Sequence, residues 1–372
     1  MDLLRNETVA RRMDAGRAAG FDYLRIGLAI AVIAFHSVIT SFGPGADKAI
    51  AHGWMRPFIL AILPMFFALS GFLVAGSLER CRNLGEYAAL RVLRIVPALF
   101  VEVCVAALIL GPLMTVDTLR DYFASPKLHA YFLNTIGHIH FQLPGLFLDN
   151  PDPDMVNRQL WTIPGELKCY FVLMVLAAVG VVRRSGLLVA FILLCALALP
   201  FVDLFLKHER VAELNTVTMN TLVLAFLCGV SVHALRDKVR IGPALTLGAA
   251  VVSYALLSVP EMQYAAMAPL AYLTVGLGLA DARRTWLSDL GDYSYGLYLY
   301  GYPLQQTYSH LFPDHRAPLL NIAFTLATAG VLAALSWRFV EKPVLRHRET
   351  VLGLFSRFGK AQRAATTAFG PR

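Results

Sequence analysis

The chain has 372 residues, of which 57% are apolar and only 16% charged, and its mean hydropathy is +0.58. Soluble domains carry about a quarter charged residues, so this balance excludes an ordinary soluble enzyme and points into a membrane. The formal net charge is +8, but Lys and Arg fall in short segments between apolar runs rather than on one polar face, which argues against a nucleic-acid binder.

A spanning helix needs roughly 20 predominantly apolar residues. In chain order, windows of that kind fall near 21–43, 57–77, 89–112, 160–182, 187–206, 217–235, 241–259, 262–280, 291–312 and 318–340. The expected fold is all-α: a polytopic membrane protein of about ten transmembrane helices, with N- and C-termini cytoplasmic. The orientation comes from the positive-inside bias. With both termini inside, the inner segments 1–20, 78–95, 183–186, 236–240, 281–290 and the tail from Arg338 hold 23 Lys and Arg, against 8 outside. The first 20 residues are polar and lack the apolar run of a cleavable signal, so the first span is expected to remain in the mature protein.

The chain therefore divides into a cytoplasmic segment 1–20, a membrane domain 21–342 and a basic cytoplasmic tail 343–372. One outer segment is long, about 113–159, and contains the run Leu143 to Phe147 and the acidic, Pro-rich stretch Asp149 to Asp154. Loops of this length are often functional. In the tail, Val351, Leu354, Phe355 and Phe358 recur at helical spacing among basic residues, as in a helix lying on the inner membrane surface. The five cysteines show no CxxC or Cys/His spacing, so neither a disulfide framework nor a metal site is expected.

Ionisable groups inside spans are costly and mark functional sites. The informative ones here are Arg25, His36, Arg91, Arg94, Glu166 and Lys168. Arg25 and His36 are eleven residues apart, which returns to within about 20° of the same helix face and covers roughly 16 Å. Arg91 and Arg94 stand one turn apart at the inner start of the third span, and two forked guanidinium groups on one face suit a phosphate-rich ligand. Inner helix ends also collect arginines without any ligand. Glu166 and His36 each lie about six residues from an outer helix end, so counting residues sets them level, as a histidine–carboxylate pair. His36 as polar glue between helices is the competing reading. A Glu166–Lys168 pair is disfavoured because residues two apart point to different helix faces.

These residues sit in phrases that resemble the acyltransferase 3 family of bacterial membrane O-acyltransferases. Phe21-Asp22-Tyr23-Leu24-Arg25, ten further residues and His36 match its Arg-x10-His opening, and Arg91-Val92-Leu93-Arg94 matches its Arg-x-x-Arg motif. Phe66 to Leu73, Val156 to Glu166, Leu290 to Tyr300 and Ser336 to Pro343 resemble further family phrases, in the family's order from Phe21 to Pro343. The resemblance implies transfer of an acyl group, usually acetyl from acetyl-CoA, to a hydroxyl of an extracytoplasmic or lipid-linked sugar at a bacterial inner membrane. Joined to the reading of the residues above, it points to His36 as catalytic base with Glu166 as its partner, and to Arg25, Arg91 and Arg94 as ligands of the acyl-CoA phosphates. Asn157, Trp161 and Tyr298 are further candidates for substrate contact, and no metal is implied.

Two departures stand out. Gly301 occupies a place where the family often has a histidine, and the chain ends about thirty residues past the last span, so the membrane domain is expected to complete transfer alone. A transporter or flippase of a lipid-linked glycan or small anionic solute is the alternative reading, since intramembrane charges also line transport pathways. The chain shows none of the internal repeats common in transporters. A purely structural membrane protein would leave the level placement of His36 and Glu166 without a reason.

Overall fold

The computed structural model of the protein describes residues 6–14, 16, 18–50, 52–205, 217–280, 282–289 and 293–348. Nearly all regular structure among them is helical, apart from one two-residue ribbon in which Glu7–Thr8 pairs antiparallel with Arg240–Ile241. The proposed surface helix at Val351 to Phe358 lies outside the described residues, as does the start of the Leu290 to Tyr300 phrase.

Each apolar window contains a helix. These are α1 (Gly20–Phe42), α2 (Arg56–Arg80), α3 (Leu84–Val105), α4 (Ile163–Ala178), α5 (Ser185–Phe205), α6 (Met219–Ala234), α7 (Pro243–Ser258), α8 (Met267–Gly278), α9 (Ser294–Leu311) and α10 (Pro318–Ser336). Six of them, α1 to α5 and α10 with their continuations, are long and apolar enough to cross a membrane. The expected count of ten is thus met by six on length and composition, for two physical reasons. At 1.5 Å per residue, α6 and α7 with 16 residues and α8 with 12 reach only about 18–24 Å, short of the roughly 30 Å hydrocarbon core. The 18-residue α9 carries Gln305, Gln306, Thr307 and Ser309, all buried. A helix surrounded by protein need not be apolar, because its polar groups find partners there.

Segments that the charge bias assigns to one side meet one another. The ribbon joins the N-terminal segment to the α6–α7 connection, Arg236 of that connection pairs with Glu79 at 2.8 Å, and Tyr23 bonds Arg283 O at 2.8 Å. At the opposite ends, Tyr254 bonds Trp54 O at 3.3 Å and Arg316 bonds Asp149 O at 3.2 Å. We expect single cysteines at positions within 45–55 to react with an impermeant thiol reagent on intact cells, and those within 350–370 to react only after permeabilisation. Labelling of the tail from outside would overturn the orientation.

Two details of packing position the site. Helices α2 and α6 approach so closely that a Cβ at Gly71 would strike the carbonyl oxygen of Phe226, and one at Gly229 would strike that of Ala68. Gly therefore sits on both sides of this contact, as in other close membrane helix pairs. In α9, Pro303 has no N–H for the carbonyl of Leu299 one turn earlier. The Gln159 side chain supplies the missing donor, at 2.7 Å from Leu299 O and 3.2 Å from Tyr298 O. The entry to α4 is thereby tied to the middle of α9. Single π-turns, which often mark functional positions, extend α3 (Ala106–Leu110) and α10 (Trp337–Glu341).

Candidate active site

A cavity of about 1000 Å³ opens between α1, α2, α3, α4 and α9. Along α2 its wall runs from Leu63 to Arg80, seventeen steps or about 26 Å, so it reaches far into the membrane from the side where α2 ends and α3 begins. Arg80, Arg82 and Arg348 surround its mouth; Arg25, Arg91 and Arg94 lie further in; Phe66, Thr162, Glu166 and Tyr298 reach its deeper wall. Five of the eight residues expected to serve catalysis, donor binding or substrate contact therefore line one space.

The two arginines of α3 are held by different partners. Arg91 donates to Ser77 Oγ at 2.9 Å and lies over the rings of Tyr87 and Tyr170 at 5.8 and 5.6 Å. Arg94 donates to Glu341 Oε2 at 3.1 Å and lies over the Tyr295 ring at 5.5 Å. Glu341 is buried in the π-turn of α10, which aims its carboxylate at α3. Arg25 stands 3.9 Å from Asp22, one turn back on α1.

Glu166 accepts a hydrogen bond from Tyr170 Oη, and the charges of Arg94 and Arg91 act on it. His36 instead meets the ring of Tyr302 edge-on, with centroids 5.1 Å apart. Among the described residues no contact joins His36 to Glu166, the expected pair. Its basis was depth, and the entry to α4 changes the depth. The helical entry to α4 starts at Arg158, eight residues before Glu166, and its 3-10 turn rises about 2.0 Å per residue, so Glu166 lies roughly 14 Å below Arg158 against about 9 Å from Phe42 to His36, mainly because the helix starts two residues earlier than the count of six assumes.

His36 borders a second polar cluster. Tyr302 Oη donates to Asp152. Arg158 grips the same carboxylate with two N–H groups at 2.6 and 3.0 Å. Gln306 of α9 donates to the carbonyls of Asp152 and Met155 at 2.7 and 2.6 Å, which straps the long outer segment onto α9. Tyr298, one turn before Tyr302 on α9, bonds Thr162 Oγ1 at 2.7 Å at the deep wall of the cavity. One turn of α9 thus separates the cavity from the ring that touches His36.

Asn157 is fully buried and donates to Glu102, itself buried in α3. Trp161 packs partly buried against the hydrophobic core, and neither residue lines the cavity. Lys168 is exposed. At Gly301 an added Cβ would come within 3.1 Å of Ile33, one turn from His36, so the lost histidine position abuts the His36 helix. Sequence reasoning missed Glu102, Asp152 and Glu341. A lone acid inside the apolar 89–112 window was a readable signal for Glu102, whereas the other two acquire meaning only from partners on distant helices.

Among the described residues no cluster of three or more His, Cys, Asp or Glu side chains is arranged to hold a metal ion. No solved structure matches the chain. It is similar to an O-acetyl transferase of Shigella phage Sf6, with 25% identity over 364 residues that cover 90% of this chain and 98% of that protein. The pattern of the acyltransferase 3 family, described as an acyltransferase domain, matches residues 18–340. That match runs from α1 into the π-turn of α10 and takes in the arginine-lined cavity except Leu345 and Arg348, so the chain belongs to the acyltransferase 3 family and is a membrane acyltransferase.

Proposed function

We propose that the protein takes an acyl group, acetyl above all, from cytoplasmic acyl-CoA and esterifies a hydroxyl of an extracytoplasmic or lipid-linked sugar in a surface glycan at a bacterial inner membrane. The observation that carries this reading is the cavity: arginines at one end, and a deep wall one helical turn short of the Tyr302 ring against His36. Arg25, Arg91 and Arg94 hold the donor's phosphates, since forked guanidinium groups match phosphate oxygens. The thioester on its long pantetheine arm then extends along Phe66 and Tyr298 towards His36.

His36 acts as the general base. It removes the proton of the sugar hydroxyl as that oxygen attacks the thioester carbonyl carbon; the C–O bond forms and the C–S bond breaks. The electron pair leaves with the CoA sulfur, which takes up a proton to give the free thiol. Glu166 is a positioning residue on the donor side. It fixes Tyr170, whose ring lies under Arg91.

The test is mass spectrometry of the cell's surface glycans with and without the gene, together with acetyl-CoA binding by the purified protein. Loss of an acyl mass increment on deletion supports the proposal; unchanged glycans and absence of donor binding would end it. Arg94→Ala is expected to weaken donor binding by about 10- to 100-fold, since a hydrogen bond to a charged group contributes about 1.5–3 kcal/mol. Calorimetric titration with acetyl-CoA measures this. Unchanged affinity in a normally folded variant would reduce Arg94 to an anchor at a helix end.

A further inference from the structure

The six arginines of the cavity form two tiers that differ in how their charge is compensated. In the deeper tier, Arg94 faces Glu341 at 3.1 Å and Arg25 faces Asp22 at 3.9 Å, and Glu166 adds a further carboxyl group close to Arg91 and Arg94. At the mouth, Arg80, Arg82 and Arg348 are exposed. None of the three has a carboxylate within 4 Å among the described residues. Of the nearby acids, Glu79 pairs with Arg236 at 2.8 Å, and Glu86, which also lines the cavity, accepts from the Arg82 backbone N–H at 2.8 Å as part of the α3 cap, so three guanidinium groups face one carboxylate at the mouth. Arg91 stands seven residues, or about 10 Å, above the start of α3 at Leu84, and Arg82 lies just before that start.

Two tiers of unequal residual charge suit two phosphate groups of unequal charge. A diphosphate bridge carries about one negative charge on each phosphorus. A phosphate monoester carries about −1.5 to −2 near neutral pH. We infer that Arg80, Arg82 and Arg348 form a separate site for the terminal phosphate monoester on the ribose of the donor nucleotide, while the deeper tier holds its diphosphate. This rests on the donor reading above and adds a specificity to it: the enzyme selects donors that carry the 3′-phosphate. Arginines at an inner helix end also meet anionic lipid headgroups, which offer the same phosphate chemistry, so the lipid must be controlled.

The experiment uses the full chain in nanodiscs of phosphatidylcholine alone and titrates CoA and 3′-dephospho-CoA. The unaltered protein is expected to bind CoA about tenfold or more tightly than its dephospho form, with the preference shrinking as salt rises. In the Arg82→Gln/Arg348→Gln protein the two ligands are expected to bind alike. Both side chains are exposed, so folding is not at stake, and Arg80→Gln gives an independent second variant. Equal affinity of the unaltered protein for the two ligands would overturn the inference alone and leave the three arginines to lipid headgroups. A preference that survives in both variants would also overturn it. Binding of neither ligand would remove the donor reading itself.

Discussion

Replacing His36 by alanine is expected to lower acyl transfer by about 10²–10⁴-fold, the usual contribution of a positioned general base, while donor binding stays intact. A sugar hydroxyl is a poor nucleophile until its proton leaves during attack, and imidazole is the commonest group that accepts it. The proposed separation of functions rests on placement: the cavity holds the arginines, and His36 lies past its deep wall against Tyr302. Tyr302→Phe keeps the ring beside His36 and removes only the hydroxyl that bonds Asp152, so it should cost much less. Turnover of the purified variants, with acetyl-CoA binding measured on the same samples, decides the matter. Near-normal turnover by His36→Ala would sink the mechanism.

Gly71→Val is expected to destabilise the bundle by about 3 kcal/mol or more, at or beyond the upper end of ordinary overpacking. The new side chain meets the backbone carbonyl of Phe226 rather than a movable side chain. Relief requires α2 and α6 to separate, and separation also loses the reciprocal approach of Gly229 to Ala68 and the weak Cα–H···O contacts that such closeness allows. Because α2 and, through Phe226, α6 both wall the cavity, activity should fall with stability. Gly248→Val is the control, since nothing lies within 4 Å of a Cβ there. Thermal unfolding in detergent reports both; a Gly71 variant melting with the unaltered protein would refute the close-packing argument.

The apolar windows located the ten major helices among the described residues, but hydropathy marks a span only where the side chains are mostly apolar, and α9 falls short of that. Helix α9 is lined with buried glutamine, serine and threonine, so its hydropathy understates how deeply it sits. The arginine pair of α3 was legible because spacing within one helix translates directly into a shared face. Depth was not, because the helical entry starts at Arg158, two residues before the counted end, and so carries Glu166 further towards the arginines. Glu341 and Asp152 lie in places that the sequence alone marks only as the end of a phrase and part of a loop. Their partners, Arg94 and Arg158, become neighbours only when α10 meets α3 and the outer segment folds back on itself.

A deep cavity lined by charged groups also reshapes the electrical profile of the membrane. Filled with solvent, its interior shares the potential of the compartment it opens to, and most of the transmembrane voltage is expected to drop across the septum of Thr162, Tyr298, Tyr302 and the outer strap on α9. One elementary charge crossing that full drop gains or loses about 2.3 kcal/mol per 100 mV. Donor capture, which ends below the septum, should therefore be indifferent to voltage. On the proposed mechanism the proton that His36 gains and returns moves within the septum, so the chemical step alone should respond to an imposed potential in sealed vesicles.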